Sequence, residues 1–337
     1  MKSVLKTIVI FLLTLEARMA LFRYRPKIAA VTGSVGKTAT KDMLAAVLAK
    51  KFIVRKSPKS FNSEIGIPLA ILGAKKSEWG SFWGWFCVLW KGIAIVFRTS
   101  AYPQWLVLEV GADRPGDISR IARWLEPDCV VVTRFGETPA HLEFFSSRAA
   151  LIREKASLVR ALKKDGILVI NADDPEVYTL RELSPARVVL FGTNERAVFR
   201  ASYAAISYKN GFPDGVTAKI EFQGKMVPLF LKGTIGLHYV SSALAAIALA
   251  WSLSVPILDA IVALKELSLP VGRMRVLEGI RNTILIDDSY NSSPIALSAA
   301  LHAMKELAVS GKKIAVLGDM LELGSAEVSA HEKAGAE

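Results

Sequence analysis

Short apolar runs alternate with helical patterns along most of this chain of 337 residues. Four of the runs have the length and the β-branched content of buried strands: Lys27–Thr32, Trp105–Val110, Cys129–Thr133 and Ile167–Ile170. Segments with helical spacing separate them, such as 37–50 and Ser147–Leu162. Because parallel strands need long crossover connections, usually helices, the alternation predicts an α/β fold. We expect a mostly parallel central sheet with helices on both faces.

The pattern changes between residues 187 and 232. Short β-type runs are joined there by turn sequences such as Lys209-Asn210-Gly211, which predicts an antiparallel patch. An Ala-rich helix is predicted next, over Leu237–Trp251.

The alternation of strands and helices begins again near residue 271 and predicts the start of a second, Rossmann-like α/β domain. Its predicted elements are strand Thr283–Asp287, helix Pro294–Leu307, strand Lys313–Leu317 and helix Ala326–Ala336. Since these elements are too few for an independent core, we expect the chain to end inside this domain. The predicted division is 1–26, 27–270 and 271–337.

A strongly apolar stretch opens the chain at residues 1–22, and Glu16 and Arg18 interrupt it. Its uninterrupted apolar run is too short for an ordinary spanning helix. Three basic residues follow within the next five positions. We expect an uncleaved helix on the inner face of the cell membrane, with its basic residues toward lipid phosphates. The alternative is a helix packed into the protein core.

A second apolar stretch, at 79–97, contains four of the seven tryptophans and reads as an insertion. A single membrane crossing here would place the strands on either side of it on opposite sides of the bilayer. Those strands are predicted to belong to one sheet, so the stretch is expected to lie in the membrane interface, re-enter or pack on protein. Tryptophan enrichment favours the interface.

Charge is distributed unevenly along the chain. The 43 Lys and Arg exceed the 31 Asp and Glu by 12, yet residues 1–100 alone hold 17 basic and 4 acidic residues. A basic excess is typical of proteins with anionic partners. No recognised nucleic-acid-binding sequence motif accompanies it, and the cations are interspersed with apolar sequence, so we expect lipid and a nucleotide rather than nucleic acid. The two cysteines form no disulfide framework.

A glycine-rich loop joins the first predicted strand to the next helix, and its sequence is Thr32-Gly33-Ser34-Val35-Gly36-Lys37-Thr38. The glycines let backbone N–H groups approach phosphate oxygens, and the helix N-terminus adds its dipole. In such a loop Lys37 is expected to neutralise phosphate charge and the Thr38 hydroxyl to ligate Mg²⁺. The alternative is an ordinary glycine-rich turn between a strand and a helix.

Further motifs follow the loop in order along the chain. They are SFNSEIGIP (60–68), LEVGADRPGDI (108–118), GETPAHLEFFS (136–146), NADD (171–174), GLH (236–238), GRMRVLEG (272–279), IDDSYNSSP (286–294) and VLGDMLELG (316–324). Together with the loop they resemble the Mur ligases over residues 27–337. Within that family the motif sequences are most similar to those of the branch that adds D-alanyl-D-alanine to UDP-N-acetylmuramoyl-tripeptide.

This resemblance implies an ATP-dependent amide ligase of peptidoglycan-precursor synthesis. Such an enzyme activates a substrate carboxylate as an acyl phosphate and joins it to the amine of D-Ala-D-Ala, using ATP and Mg²⁺. The implied carboxylate substrate is anionic and similar to a UDP-MurNAc-peptide. The resemblance also implies a monomer that works in the cytoplasm.

The resemblance assigns catalytic and metal-binding roles to single residues. It implies Mg²⁺ ligation by Glu109 as well as by the loop threonine, a second metal at His141, and a carbamate on Lys155 that serves as an oxygen ligand. Arg275 matches the arginine that contacts the γ-phosphate. The alternatives are a cap or ion-pair partner for Glu109, and a solvated helix lysine beside Glu154 for Lys155.

Nucleotide and substrate roles follow from the same resemblance. His238 is implied near the nucleotide, and Asp287 or Asp288 is implied at the ribose, where the alternative for the acidic pair is the N-cap region of a helix. Asn62 and Asn291 are implied on the side of the substrates.

Several positions depart from the family pattern. The family motif Gly-x-His-Asn-x-x-Asn becomes GLHYVSS, so Ser242 stands where an asparagine contacts adenine, and Ser63 replaces a second asparagine. The UDP-binding domain that precedes the loop in the family is expected to be absent. Two alternatives therefore stand beside the ligase: a Mur-like enzyme with another acceptor, of the polyglutamate type, and a nucleotide-binding membrane scaffold with weakened catalysis.

Overall fold

The computed structural model describes residues 2–58, 61–74, 82–97, 101–136, 142–309 and 311–337. The strands are β1 (Lys27–Thr32), β2 (Val54–Lys56), β3 (Trp105–Glu109), β4 (Cys129–Val132), β5 (Ile167–Asn171), β6 (Arg187–Gly192), β7 (Phe199–Lys209), β8 (Phe212–Phe222), β9 (Lys225–Lys232), β10 (Arg275–Glu278) and β11 (Ile284–Asp287). The α-helices are α1 (Lys2–Tyr24), α2 (Lys37–Leu48), α3 (Gly66–Ile71), α4 (Phe82–Phe97), α5 (Asp117–Leu125), α6 (Arg148–Arg160), α7 (Pro175–Thr179), α8 (Tyr239–Ser252), α9 (Ile257–Glu266), α10 (Pro294–Glu306) and α11 (Glu327–Ala336).

The first nine strands form one sheet in the order β2-β3-β1-β4-β5-β6-β7-β8-β9. Strands β2 to β6 run parallel to their neighbours, and β6 also pairs in parallel with β7. The ladders from β7 to β8 and from β8 to β9 are antiparallel. The predicted mostly parallel sheet, with an antiparallel patch that follows it in the chain, is therefore confirmed.

Two hydrophobic cores cover the two faces of this sheet. Alternate residues of a strand point to opposite faces; in β1, for example, Val31 contributes to one core and Ala30 to the other. Helices α2, α8 and α9 cover the first face, where the Ala-rich α8 is almost wholly buried. The second face is covered by α1, α3, α5 and α6.

Helices α1 and α4 pack against each other on the second face. Val9, Leu13, Ala17 and Ala20 of α1 are buried in the core, so one side of this helix packs on protein. Trp85 and Val96 do the same for α4. Within the described residues, no helix has both the length and the apolar character that crossing a bilayer requires.

The segment after residue 270 differs from its prediction in two respects, the first being strand β10, which the sequence did not predict. Strands β10 and β11 form a separate antiparallel pair, and α10 follows as expected. The predicted strand Lys313–Leu317 was wrong, because these residues have no strand structure and pair with no neighbour in the described chain. Val316 is 95% exposed, so the continuous apolar run that suggested a strand faces solvent here.

Candidate nucleotide and carboxylate site

The glycine-rich loop lies at the carboxyl end of β1, a place where open α/β sheets bind ligands. Gly33 and Gly36 have φ angles of 142° and 83°, which disfavour any residue with a side chain. The Thr133 hydroxyl fills the space beside Gly33, where a Cβ would collide with it, and donates to the carbonyl of Val35 at 2.6 Å. The loop is therefore held in a fixed shape by the neighbouring strand β4.

Two lysines converge on this loop. Lys37 Nζ donates to the Ser34 carbonyl at 3.0 Å, and Lys155 Nζ donates to the Gly33 carbonyl and to Ser34 Oγ, both at 2.9 Å. Lys155 belongs to α6 and is 3% exposed, which contradicts the alternative of a solvated helix lysine. The sequence prediction that these residues share one site agrees with this geometry.

The electrostatics of the two lysines follow from their burial. Burial lowers the pKa of Lys155 well below its ordinary value, and the nearby Lys37 lowers it further. Burial likewise lowers the pKa of Lys37, with Glu109 opposing this effect and Arg273 adding to it. Because two ammonium groups so close together repel each other, the site favours an anion or a neutral amine on one of them.

A small pocket opens beside the lysines. It is lined by Ser34, Lys37, Asn62, Gly111, Ala112, Asp113 and Lys155. The carbonyl of Asn62 accepts a hydrogen bond from the Gly111 N–H at 2.9 Å, which ties the loop after β2 to the end of β3. Asn62 is therefore one of the predicted substrate residues that the structure brings to the site.

Glu109 ends β3 and is 7% exposed. Its Oε2 lies 3.8 Å from Nζ of Lys41, a buried lysine of α2 whose Nζ is also 3.4 Å from Asp42 Oδ1. The Ser57 hydroxyl accepts the backbone N–H of Glu109 at 3.1 Å. The ion-pair alternative therefore describes a real contact of Glu109, and its carboxylate also interacts electrostatically with Lys37.

The donors near the loop fit a magnesium ion that is bound mainly through phosphates. Mg²⁺ in such sites takes one or two carboxylates together with phosphate oxygens and water. Glu109 supplies one buried carboxylate and Thr38 one hydroxyl, whereas no group of three or more His, Cys, Asp or Glu able to hold a metal occurs in the described chain. His141, the predicted second metal residue, lies outside the described residues.

The N-terminus of α8 lies against the loop. Ser242 is buried there, and its Oγ would be 3.3 Å from a Cβ at Gly36. His238 precedes the helix and stacks obliquely on Tyr239, with ring centroids 4.2 Å apart. Burial, with Arg273 nearby, lowers the pKa of His238 to about 4, so the ring is neutral at pH 7.

The arginine that reaches the loop is Arg273 rather than Arg275. Arg273 Nη2 donates to the Thr38 hydroxyl at 3.3 Å, and its guanidinium lies over the Tyr290 ring at 4.3 Å. Arg275 is exposed on β10, where it is paired in register with Asp287. The structure therefore does not bring Arg275 to the loop, because the chain turns between the two positions at Met274, whose φ is 49°.

Asp287 and Asp288 organise that turn. Asp287 accepts the Gly272 N–H at 3.1 Å and the Ser289 hydroxyl at 2.6 Å, and Asp288 accepts the Met274 N–H at 3.0 Å. Burial raises the pKa of Asp288 to about 6. The alternative interpretation placed these carboxylates in the N-cap region of a helix. In the structure they do not cap α10.

The cap of α10 is Ser293, whose Oγ accepts the Ala296 N–H at 3.4 Å. Asn291, the other predicted substrate residue, is exposed, and its Oδ1 accepts the N–H of Ser292 at 3.0 Å. Asn291 is absent from the residues that line the pocket beside the lysines.

Comparison with known proteins agrees with this arrangement. Residues 31–82 and 93–250 match the Mur ligase middle domain, and residues 272–337 match the Mur ligase glutamate ligase domain. The chain belongs to the Mur ligase family. A relative from Bacillus subtilis, named UDP-N-acetylmuramoyl-tripeptide–D-alanyl-D-alanine ligase, is 30% identical over 310 residues, which are 92% of this chain and 60% of that protein.

Solved Mur ligase structures have the same fold. The structure titled as MurF ligase from Thermotoga maritima in complex with ADP has 30% identity and a TM-score of 0.77, covering 97% of this chain and 67% of the other. A MurF structure from Acinetobacter baumannii, 24% identical, has a TM-score of 0.78 and covers 96% and 63%. The chain spans about 60% of the length of these curated Mur ligases.

The match to the Mur ligase middle domain omits residues 83–92, which lie inside α4.

Sequence reasoning missed two residues of this Mur ligase site, Arg273 and Lys41. A signal for Arg273 was present, because both arginines stand in the same GRMR motif. Lys41 gave no such signal, since a lysine one turn into a helix ordinarily faces solvent.

Proposed function

We propose that this Mur ligase catalyses ATP-dependent amide bond formation. The observation that carries the proposal is the convergence of Lys37 and Lys155 on one phosphate-type loop, beside the buried carboxylate of Glu109. A phosphate-type loop with Lys37, the nearby Arg273 and a carboxylate able to hold Mg²⁺ suits a nucleoside triphosphate with its Mg²⁺ rather than a neutral ligand. The proposed reaction consumes ATP, which the cytoplasm supplies, so we propose that the protein works in the cytoplasm.

The proposed chemistry has two steps. A substrate carboxylate oxygen attacks the γ-phosphorus of ATP, the bond from that phosphorus to the β,γ-bridging oxygen breaks, and ADP leaves. An amine then attacks the acyl carbon, inorganic phosphate leaves with the bonding electrons, and the amine loses a proton. Lys37 and Arg273 stabilise the charge that develops on the phosphoryl oxygens. Bound Mg²⁺ supplies further neutralisation of phosphate charge, with Glu109 and Thr38 as its protein donors.

Lys155 is proposed to carry a carbamate. Only a neutral amine attacks CO₂, and the lowered pKa of Lys155 makes that form available at neutral pH. Carbamylation replaces the second ammonium beside Lys37 with an anion, which removes the repulsion between them. The product would be an oxygen ligand for Mg²⁺ beside the glycine-rich loop.

The substrates are proposed from the relatives. Curated relatives at 30% and 31% identity are named as ligases of UDP-N-acetylmuramoyl-tripeptide and D-alanyl-D-alanine. We propose the same pair here, with Asn62 on the side of the carboxylate substrate and Asn291 on the side of the amine. In this assignment His238 lies near the nucleotide, and Asp287 and Asp288 orient the turn that carries Arg273.

A coupled assay of ADP release tests the proposal. The full chain is supplied with ATP, Mg²⁺, UDP-N-acetylmuramoyl-tripeptide and D-Ala-D-Ala, and each component is omitted in turn. Turnover that requires both substrates and is lost in Lys37→Ala supports the ligase. Turnover with glutamate instead of the dipeptide would support an acceptor of the polyglutamate type.

The scaffold alternative rests on one observation, the buried Ser242 against Gly36 where the family has an asparagine. A serine hydroxyl has one donor hydrogen and its acceptor sites on a single oxygen, whereas an asparagine amide has two donor hydrogens and a separate acceptor oxygen. Binding of ATP without release of ADP under any of these conditions would support the scaffold and contradict the ligase.

A further inference from the structure

The outer sides of α1 and α4 carry continuous apolar stripes. In α1 five of the exposed apolar residues recur at i, i+4, i+7, i+11 and i+14, and they are Ile8, Leu12, Leu15, Met19 and Phe22. In α4 they recur at i, i+3, i+7, i+10 and i+14, and they are Trp83, Phe86, Trp90, Ile93 and Phe97. This spacing places each set on one side of its helix.

These stripes are unusual for helices that cover a sheet. Helix α5 covers the same face of the sheet, buries Ile118 and Ile121, and exposes Arg120 and Arg123 to solvent. Helices α1 and α4 bury apolar residues as α5 does but also expose them. Trp83 is 72% exposed and Phe22 is 78% exposed. A surface of this kind marks an interaction site.

The charges beside the stripes have one sign. The only acidic residue in α1 and α4 is Glu16, which is 7% exposed and lies between the two helices. Arg18 and Arg23 are exposed and, at 100° per residue, fall on opposite edges of the α1 stripe. Lys91 is exposed beside the α4 stripe. The surface is therefore apolar with a cationic rim.

We propose that the apolar faces of α1 and α4 together bind an anionic lipid bilayer, lying in its interface. The cationic rim complements lipid phosphates, and basic residues near a membrane surface attract anionic lipid. Exposed indole rings suit the membrane interface, because they are apolar with one N–H group that stays hydrated. A second copy of this chain is a poorer occupant, since a symmetric dimer would bring the same cations of the two copies together.

This proposal does not depend on the proposed ligase reaction. It concerns a surface on the second face of the sheet, built from α1 and α4, whereas the loop lysines belong to α2 and α6. Vesicle binding and ADP release are measured separately, so either result can fail without the other.

Cosedimentation with vesicles tests the surface. The full chain is mixed with vesicles of phosphatidylcholine alone or with 30 mol% phosphatidylglycerol (about a third anionic lipid, to represent an anionic leaflet). We expect binding to the anionic vesicles that is about tenfold tighter than to the neutral ones. Binding should weaken about tenfold in Trp83→Ser/Phe86→Ser/Trp90→Ser, because three apolar anchors are removed. High salt should weaken vesicle binding of the parent chain. It should weaken binding of Arg18→Gln/Arg23→Gln to a smaller extent, because fewer protein charges remain to be screened.

The matched control is Ile280→Ser/Leu321→Ser, which removes two exposed apolar residues elsewhere and should leave binding unchanged. Circular dichroism establishes that each variant is folded. Equal partition of the stripe variant and the parent chain would overturn the proposal, as would no binding to anionic vesicles. A dimer in the absence of lipid, converted to monomer by the stripe variant, would identify a second copy as the occupant and would also overturn it.

Discussion

Arg273 Nη2 donates a hydrogen bond to the Thr38 hydroxyl across 3.3 Å and so joins the segment after residue 270 to the phosphate-type loop. The two residues are 235 positions apart in the chain. This contact places a guanidinium beside Lys37, where it helps to lower the pKa of that lysine. The loop and the turn before β10 therefore lie side by side.

Arg273→Gln is expected to lower kcat/KM for ATP by about a hundredfold, because it removes a cation that stabilises transferring phosphate charge. Arg275→Gln is the matched control, since Arg275 is exposed on β10. The control should change kcat/KM by less than about threefold. ADP release measures both. A larger loss in Arg275→Gln than in Arg273→Gln would contradict the assignment.

Lys155→Ala is expected to lower turnover by at least about a hundredfold, since it removes the proposed carbamate from the site. Removal of bicarbonate should slow the parent enzyme, and added short carboxylic acids should partly restore the alanine variant. Lys164→Ala, on an exposed loop, serves as the control. A carbamate carbon signal from ¹³CO₂ in the parent but not in Lys155→Ala would establish the modification. Unchanged turnover in Lys155→Ala would contradict it.

Lys41→Met is expected to destabilise the fold by about 3–5 kcal/mol, because it leaves the buried carboxylate of Glu109 without its nearest cation. Lys50→Met removes an exposed ion pair with Glu266 and should cost at most about 1 kcal/mol. Urea denaturation compares the two. If the double variant Lys41→Met/Glu109→Gln is no more stable than Lys41→Met, the unpaired carboxylate is not the cause.

Glu16 predicts a dependence of stability on pH. Burial raises its pKa from 4.5 to about 7 in the folded protein, so the folded state holds a proton that the unfolded state has released. Stability is therefore lost as the pH rises from about 4.5 through about 7. Glu16→Gln should remove this loss and stabilise the protein at pH 8 by about 1–3 kcal/mol, with little effect at pH 4.

Thermal unfolding at the two pH values measures that difference. Glu195→Gln, at an exposed position, is the control and should not change the pH dependence. Equal stabilisation by Glu16→Gln at both pH values would show that a lost proton is not the reason.

The central sheet could be predicted because its strands are continuous apolar runs of the right length, as in β4, buried on both faces. The loop and its lysine could be predicted because glycine spacing and a strand–helix junction restrict the backbone. Arg273 could not be separated from Arg275, since sequence spacing does not reveal the positive φ of Met274 between them. The strand predicted at Lys313–Leu317 is absent for another reason: an apolar run forms a strand only where a neighbouring strand pairs with its backbone N–H and C=O groups.

The sheet separates two cores that share no buried residue. Substitutions at distant sites without shared partners have nearly additive effects on stability. Sequence drift in the layer that holds α1 and α4 is therefore thermodynamically independent of drift in the layer that holds α2 and α8. The outer surface of α1 and α4 can therefore change while the layer that holds α2 and α8 keeps its packing.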